Sequence, residues 1–520
     1  MYARAVERRS APPRRWGTGV LLSVVIGLGL VAGMYELHDP DVWWVAAAGR
    51  ERLLHGALPT TNLFSFTDPS HPWVMHEWLL AAPYAWMMER LGPPAFALGA
   101  VLQLTIAVAV AARFFERETS SSWASVLLLG TLLGLFGVRF LTLRPTHVAL
   151  LLALLFATQL FRRTFDVRAS LLAILLELVW TNLHGSFVVG VALAFSAIAV
   201  YPRQWRVRGL TAVLVLAVTL VNPYGLGLHR LAFRYFLGTS DVYRVIHEHV
   251  EDFAPITRLS LWDKPLTFLG LFVIVAATLF LATGRETRAR GMVTGALAVV
   301  AARNVRHVDL AGIVTIVLVA PRLDAWLGAT GAVVRESPLL MRSTFVAGLA
   351  GFLAASRGPE AERDRFLTPD GTPGAAWIRV LERVPDGARL FVPFSAAGVA
   401  IWEGAPRGVR IFYDPRNDCY SASVANAAFA LEYPGVGDVA LLGAYGTTDV
   451  VLPVSHGLVP LLRESHRYSI VFEDERLIAF HALEPRASSL EPRARGLRLQ
   501  RAPCPTPDEG QRHSEDRDRR

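Results

Sequence analysis

The chain has 520 residues, of which 52% are hydrophobic and only 18% charged, with a mean hydropathy of +0.36 and a formal net charge of +8. Soluble chains carry about 25% charged residues, so this composition argues against one. The positive charge lies in short connections between apolar blocks and in the two tails, with no basic stripe interleaved with aromatics, which excludes a nucleic-acid surface. Cys419 and Cys504 stand far apart with no CxxC pair, which leaves no disulfide framework.

The first apolar block, Trp16 to Tyr35, follows Arg4, Arg8, Arg9, Arg14 and Arg15. Lys and Arg stay cytoplasmic, so the block should exit outward. A signal peptide has similar flanks, but the block is long and no small-x-small site precedes Glu36, so an uncleaved anchor is expected. A polar loop runs on to about Val74. His76 to Leu91 is semi-apolar, either interfacial or part of a span, with Trp78, Tyr84 and Trp86 suited to the headgroup belt.

Alternating blocks follow. Pro94 to Ala112 comes in and ends at Arg113 and Arg117; Trp123 to Val138 goes out; His147 to Leu160 comes in and ends at Arg162 and Arg163. Ala169 to Trp180 goes out, Ser186 to Val200 comes in before Arg203, Arg206 and Arg208, and Leu210 to Val221 goes out. Leu266 to Ala282 comes in before Arg285, Arg288 and Arg290, Met292 to Ala302 goes out, Val308 to Ala320 comes in before Arg322, and Phe345 to Ala355 goes out. Each inward block ends in arginine, as the positive-inside rule requires. About eleven spans result, although several blocks fall short of the ideal length.

From Thr372 to about Leu483 the pattern changes. Short β-like runs (Arg389 to Val392, Val409 to Tyr413, Val450 to Leu452, Ile470 to Phe472, Leu477 to Phe480) alternate with helical stretches at Ala375 to Arg383, Ser421 to Leu431 and Leu458 to Glu464. The expected fold class is an all-α polytopic transmembrane bundle followed by a small extracytoplasmic α/β domain. Its parts are a basic cytoplasmic N-terminus (1–15), a membrane domain (16–356) with a large first outer loop (36–75), the α/β domain (357–483) and a charged tail (484–520) with the composition of disorder.

Polar residues collect in the outward connections. The first holds His38-Asp39-Pro40-Asp41, Arg50, His55 and His76-Glu77. Later ones hold Arg139, Arg144 and His147, then Asn182 and His184, then Asn222-Pro223-Tyr224-Gly225, His247-x-His249 and Asp252, then Arg303-Asn304-x-Arg306-His307. Ionisable groups at a membrane are costly and default to a functional reading. Each also has a plainer one. Asp39 and Asp41 suit a helix start at Val42, Trp43, Trp44, Trp73 and Trp78 suit an aromatic belt, Asn222 suits a turn, and His247-x-His249 lacks further metal ligands. Arg303 and Arg306 break the positive-inside trend on an outward turn, so they call for another anion, such as a lipid phosphate.

Three motifs now carry a resemblance: Asp39-Pro40-Asp41-x-Trp43-Trp44-x-x-Ala47-x-Gly49-Arg50, His55-Gly56-x-x-Pro59-x-Thr61-x-x-Phe64-Ser65-Phe66-Thr67, and Pro72-Trp73-Val74-x-His76-Glu77-Trp78-Leu79. They resemble the first outer loop of a group of bacterial polytopic proteins that are similar to GT-C glycosyltransferases. Asn182-x-His184-Gly185, Asn222-Pro223-Tyr224-Gly225 and Arg303-Asn304 are further marks, and the likeness runs from Gly17 to Leu323, more loosely into Phe412-Tyr413-Asp414-Pro415-Arg416 and Phe472-Glu473-Asp474-Glu475. The resemblance implies an enzyme of a cell (inner) membrane that transfers a hexosyl or pentosyl unit from a polyprenyl-phosphate sugar donor to an extracytoplasmic acceptor.

It also implies that an acidic residue of the first loop sits at the reaction centre, matched here by Asp39 and Asp41. The loop is not the Asp-Glu pair of some GT-C members, which leaves the choice of base between the two open. Glu77 joins them as a catalytic candidate. His38, Arg50, His76, Arg144, His184, Asn222, Arg303, Asn304 and Arg306 are the candidates for binding substrate. Arg144, Arg303, Arg306 or a divalent metal could meet the leaving phosphate; metal, sugar and acceptor stay open. A transporter or flippase would instead carry mid-span ionisable groups and inverted repeats, but only Glu177 lies mid-block and no repeat is evident. A catalytically silent scaffold would tolerate loss of the acidic loop. Convergence of the outward loops into one cavity favours the enzyme.

Overall fold

The structure is a computed structural model, and it describes residues 40–238, 240–329, 375–435 and 437–483. The block Trp16 to Tyr35, His38, Asp39, the block Phe345 to Ala355, the 356/357 boundary, Cys504 and the tail from 484 lie outside the described residues.

Each apolar block among the described residues forms a helix. After α1 (Pro40–His55) and α2 (Trp78–Leu91) come α3 (Pro94–Glu118), α4 (Ser122–Phe136), α5 (Pro145–Leu160), α6 (Val167–Thr181), α7 (Phe187–Val200) and α8 (Trp205–Val218). Two short helices, α9 (Leu226–Leu237) and α10 (Asp241–His249), precede α11 (Pro265–Ala282), α12 (Arg288–Arg303) and α13 (Val308–Ala329). The starts are locally encoded. Prolines stand at the first turn of α3, α5 and α11, where the missing N–H costs nothing, and Asp166 caps α6 by accepting from the Ala169 amide at 2.8 Å.

Length separates these helices. Three segments are long and apolar enough to cross a membrane: Ala95–Glu118, Pro265–Ala282 and Val305–Gly328. A fourth arises if Phe187–Val200 and Pro202–Val218, bent by 105° at their break, count as one span. The chain is thus a mostly helical membrane protein. By length the described helices yield three or four spans; helices such as α4 and α5, with 15 and 16 residues, fall below the roughly 20 a bilayer asks for, and two of the eleven expected blocks lie outside the described residues.

The sheet order is β2-β1-β3-β5-β4. β1 (Arg389–Phe391), β2 (Arg410–Ile411) and β3 (Asp449–Pro453) are parallel, while β5 (Leu477–Ala482) and β4 (Tyr468–Glu473) add on antiparallel. Parallel pairing needs crossovers, supplied by α15 (Ala397–Gly404) between β1 and β2 and by α16 (Ala422–Glu432) and α17 (Val439–Ala444) between β2 and β3. α14 (Ala375–Leu381) precedes the sheet and α18 (Leu458–Ser465) leads into the β4–β5 hairpin. The strands and helices occur where the alternating pattern placed them.

The first loop packs against α2 and the sheet domain. Val42 through Ala48 are all buried, in one hydrophobic core with Trp73, Tyr84, Trp402, Ile411 and Tyr420. A helix apolar on every side must be enclosed on every side. Trp43, Trp44 and Trp73, at 5%, 3% and 2% exposure, are therefore core residues and not the aromatic belt expected of them. Gly49 makes this possible, since a Cβ there would lie 1.9 Å from the Ala81 carbonyl oxygen of α2. The loop also extends the sheet edge: the Ile411 amide donates to the Phe64 carbonyl at 2.9 Å, and the Phe66 amide donates to the Ile411 carbonyl at 3.2 Å.

Candidate active site

The outward connections converge. Asp41 and Trp44 of α1, His76 and Glu77 before α2, Arg139 and Arg144 before α5, His184 after α6, Tyr235 of α9, the segment 250–253, and Asn304 and Arg306 before α13 line one cavity of about 480 Å³. The sheet domain closes it with Phe394, Ser395 and the segment Pro415 to Asp418. Leu150, Val188, Leu231, Val300 and Leu310 give its floor an apolar lining.

Ion pairs hold the helical wall. Arg144 Nε lies 3.0 Å from Asp41 Oδ2 and Arg144 Nη1 lies 3.6 Å from Asp252 Oδ2, while Trp44 Nε1 donates to Asp41 Oδ1 at 3.0 Å. Arg139 meets Asp309 at 3.0 Å, and Lys264 meets Glu251 at 3.1 Å. Burial alone would raise the Asp252 pKa, but Arg144, Arg306, Arg139 and Lys264 outweigh it and hold the carboxyl below its usual range. The Arg306 guanidinium stacks 4.3 Å over the Phe253 ring and has no ion pair among the described residues.

On the opposite side His76 Nε2 lies 2.7 Å from Glu77 Oε1, leaving His76 Nδ1 and Glu77 Oε2 buried without partners. Burial lowers the pKa of His76, but Glu77 and then Asp418 more than restore it, so it ends above 6.5. His184, by burial and then His76 and the nearby arginines, is held well below 6.5 and is neutral.

His76, Glu77 and His184 each bring a ligand-type atom within 4.8 Å of the others. His76 and Glu77 suit a divalent ion, since His76 could ligate through Nδ1 while Nε2–H donates to Glu77. His184 does not fit as it stands. Its Nδ1 accepts from the Ser186 amide at 3.1 Å, which leaves the proton on Nε2 and no free lone pair toward the group. The described residues therefore do not complete a metal site in this conformation.

The other sequence candidates lie away from the cavity wall. Arg50 stacks 3.3 Å over Trp402, donates to the Trp402 carbonyl at 2.9 Å and meets Glu89 at 3.0 Å, pinning α1 to α2 and α15. Asn222 closes its own turn, accepting from the Tyr224 amide at 2.9 Å and donating to the Thr219 carbonyl at 2.8 Å. Arg303 is exposed beside the cavity wall. His247 faces Phe253, whereas His249 stacks on Phe429 at 4.7 Å, so the two do not converge.

The sequence reading missed Asp418. It lies on the turn Asn417–Cys419, takes a hydrogen bond from Tyr235 OH at 3.3 Å, and is pushed up to about 7 by burial, with Glu77 adding to the rise and His76 opposing it. The signal was available as a dense polar run, Asp414-Pro415-Arg416-Asn417-Asp418, within an otherwise apolar stretch. Its neighbours are locked: Arg416 Nε and Nη2 meet Asp414 at 2.8 and 2.6 Å, Nη2 also donates to Asn62 Oδ1 at 2.7 Å, and Tyr420 OH donates to Asp414.

Comparison with solved structures decides the fold. ArnT from Cupriavidus metallidurans bound to undecaprenyl phosphate matches with a TM-score of 0.54 at 15% identity, over 89% of this chain and 97% of that one. The chain shares that protein's fold. The archaeal oligosaccharyltransferase AglB from Archaeoglobus fulgidus, in complex with an inhibitory peptide and a dolichol-phosphate, also matches, with a TM-score of 0.52 at 12% identity over 87% of this chain and 72% of that one. No family model and no curated protein matches the sequence.

Proposed function

We propose that the protein is a membrane glycosyltransferase that moves a sugar from a polyprenyl-phosphate carrier to a hydroxyl acceptor in this cavity. The observation that carries the reading is an unmatched guanidinium, Arg306, facing a cavity shared with the Asp41–Arg144 pair and floored by apolar side chains. A half-buried guanidinium without an ion pair can take up an anion, and a lipid phosphate brings both the charge and the tail. Two solved structures of this fold hold polyprenyl-type phosphates, which supports the same ligand class here.

In the reaction the acceptor oxygen attacks the anomeric carbon while the bond from that carbon to the phosphate oxygen breaks. The leaving phosphate takes the electron pair, and Arg306 and Arg144 stabilise the charge it gains. The acceptor proton passes to a first-loop carboxylate, Asp41 or Asp39. Glu77, paired with His76, sets the polarity of the opposite wall. The cavity opens on the extracytoplasmic side in this reading, with the N-terminus cytoplasmic, about eleven spans, and the chain in a cell (inner) membrane.

The test is to incubate the full-length protein in nanodiscs with a panel of polyprenyl-phosphate sugars and measure release of the sugar from its carrier. Release from at least one donor, lost in Asp41→Asn and in an Asp39→Asn, Asp41→Asn double variant, supports the reading. Undiminished release in the double variant removes the assigned base.

A further inference from the structure

Among the described residues, six carboxylates line the cavity. Five face a cationic side chain or His76 across the distances given above. The sixth, Asp418, accepts from the Tyr235 hydroxyl at 3.3 Å and from its own backbone amide, and has no ion pair among the described residues. It is the counterpart of Arg306, the guanidinium of the same cavity that no carboxylate meets. It is also the carboxylate contributed by the sheet domain, on a turn that the Arg416–Asp414 pair and Asn62 hold in place.

We propose that the sheet-domain wall of the cavity is an acceptor subsite, in which Asp418 receives a hydrogen-bond-donating, non-anionic group: a hydroxyl or an ammonium. The inference rests on the transferase reading and names its second substrate. The chemistry follows from the two unmatched charges. Arg306 selects an anion on the helical side, so the donor phosphate belongs there. The ionised carboxylate has only acceptor sites to offer, and a ligand that donates to it favours that ionised form. Glu77 stands nearby, and burial together with Glu77 already pushes Asp418 up to about 7, so this wall has little tolerance for a further negative charge. An acceptor presenting a carboxylate or phosphate at this point is disfavoured. Ser395 on the same wall adds a neutral polar group suited to a hydroxylated ligand.

The test uses the full chain in phosphatidylcholine nanodiscs and saturation-transfer NMR with methyl glucoside and two probes that each differ from it at a single carbon: methyl glucosaminide, with an amine at C2, and methyl glucuronide, with a carboxylate at C6. The wild type should give at least fivefold more transfer to the neutral or the amino probe than to the glucuronide. A glucoside signal at or above the glucosaminide assigns a hydroxyl source, and a severalfold excess of the glucosaminide assigns an ammonium. Asp418→Asn should bring the glucuronide to within twofold of the best probe. Tyr235→Phe, which removes one hydroxyl and no charge, should shift the same ratio by a smaller amount and decides the matter if Asp418→Asn does not fold. Equal signals from all three probes in the wild type, or an unchanged ratio in a folded Asp418→Asn, overturns the proposal. Undecaprenyl phosphate is titrated separately into the wild type: failure there overturns the transferase reading, whereas binding without sugar discrimination overturns only the acceptor subsite.

Discussion

The helical side of the cavity and the side built by the first loop with the sheet domain hold their charges in different ways. On the helical side, Arg139 and Lys264 meet carboxylates at 3.0 and 3.1 Å, Arg144 reaches Asp252 at 3.6 Å and, across to the first loop, Asp41 at 3.0 Å, and Arg306 is left over. On the other side the main ion pair, Arg416 with Asp414, is wholly buried, braced by Tyr420 and Asn62, and serves to position its neighbours. The difference teaches that a partly open ion pair can exchange its partner for a ligand, whereas a sealed one is scaffolding whose loss leaves a buried charge behind.

The sharpest way to break the comparison is at Asp41. Asp41→Asn should reduce sugar transfer by roughly 100- to 10,000-fold, the range for losing a general base, with thermal stability little altered. Activity that survives moves the base to Asp39 or out of the loop. On the sealed side, Arg416→Ala should cost about 3–5 kcal/mol of stability because Asp414 then stays buried without its cation, read as a large fall in Tm. A small fall would show that the network is not the brace described. Gly49→Ala should cost about 1–3 kcal/mol by pushing α1 off the Ala81 carbonyl, and should lower transfer by displacing Asp41.

A pH experiment separates the two sides further. The folded-state pKa of Asp418 is raised to about 7 from an ordinary 3.8, so the folded protein keeps a proton that the unfolded chain gives up. Stability is then lost as pH rises from about 4 toward 7. Asp418→Asn removes that penalty. Its Tm gain over the wild type should be absent near pH 4, grow with pH and level off above 7; a gain independent of pH contradicts the assignment. The smallest effect belongs to metal removal. With His184 Nδ1 committed to the Ser186 amide, chelation by EDTA should change transfer by less than twofold, and a loss of tenfold or more would mean that the His184 ring turns to ligate an ion.

Much of this architecture could be read from the chain alone. Apolar blocks ending in arginine gave the helices, and short β-branched runs separated by helical segments gave the sheet, because both patterns are local. The first-loop motif put Asp41, His76 and Glu77 together, and His184, Arg144, Asn304 and Arg306 line the same cavity. Arg50 and Asn222 share those motifs for another reason: one clamps α1 onto Trp402 and the other closes a turn, and a motif alone does not separate a residue that shapes a site from one that faces it. The tryptophans misled because an aromatic cluster beside a membrane looks the same whether it meets lipid or a second domain; only the packing against Tyr420 and Trp402 distinguishes them. Asp418 could not be placed at all, since it reaches the cavity by a contact between residues far apart in sequence, Tyr235 and itself.

The central claim is that this cavity receives a polyprenyl phosphate at Arg306. Titrating undecaprenyl phosphate into the wild type and Arg306→Gln in nanodiscs tests it most directly. The account predicts saturable binding by the wild type and affinity roughly 10- to 100-fold weaker in the variant, the loss expected for one charge-assisted contact. Equal affinity in the two proteins, or no binding by either, would contradict it.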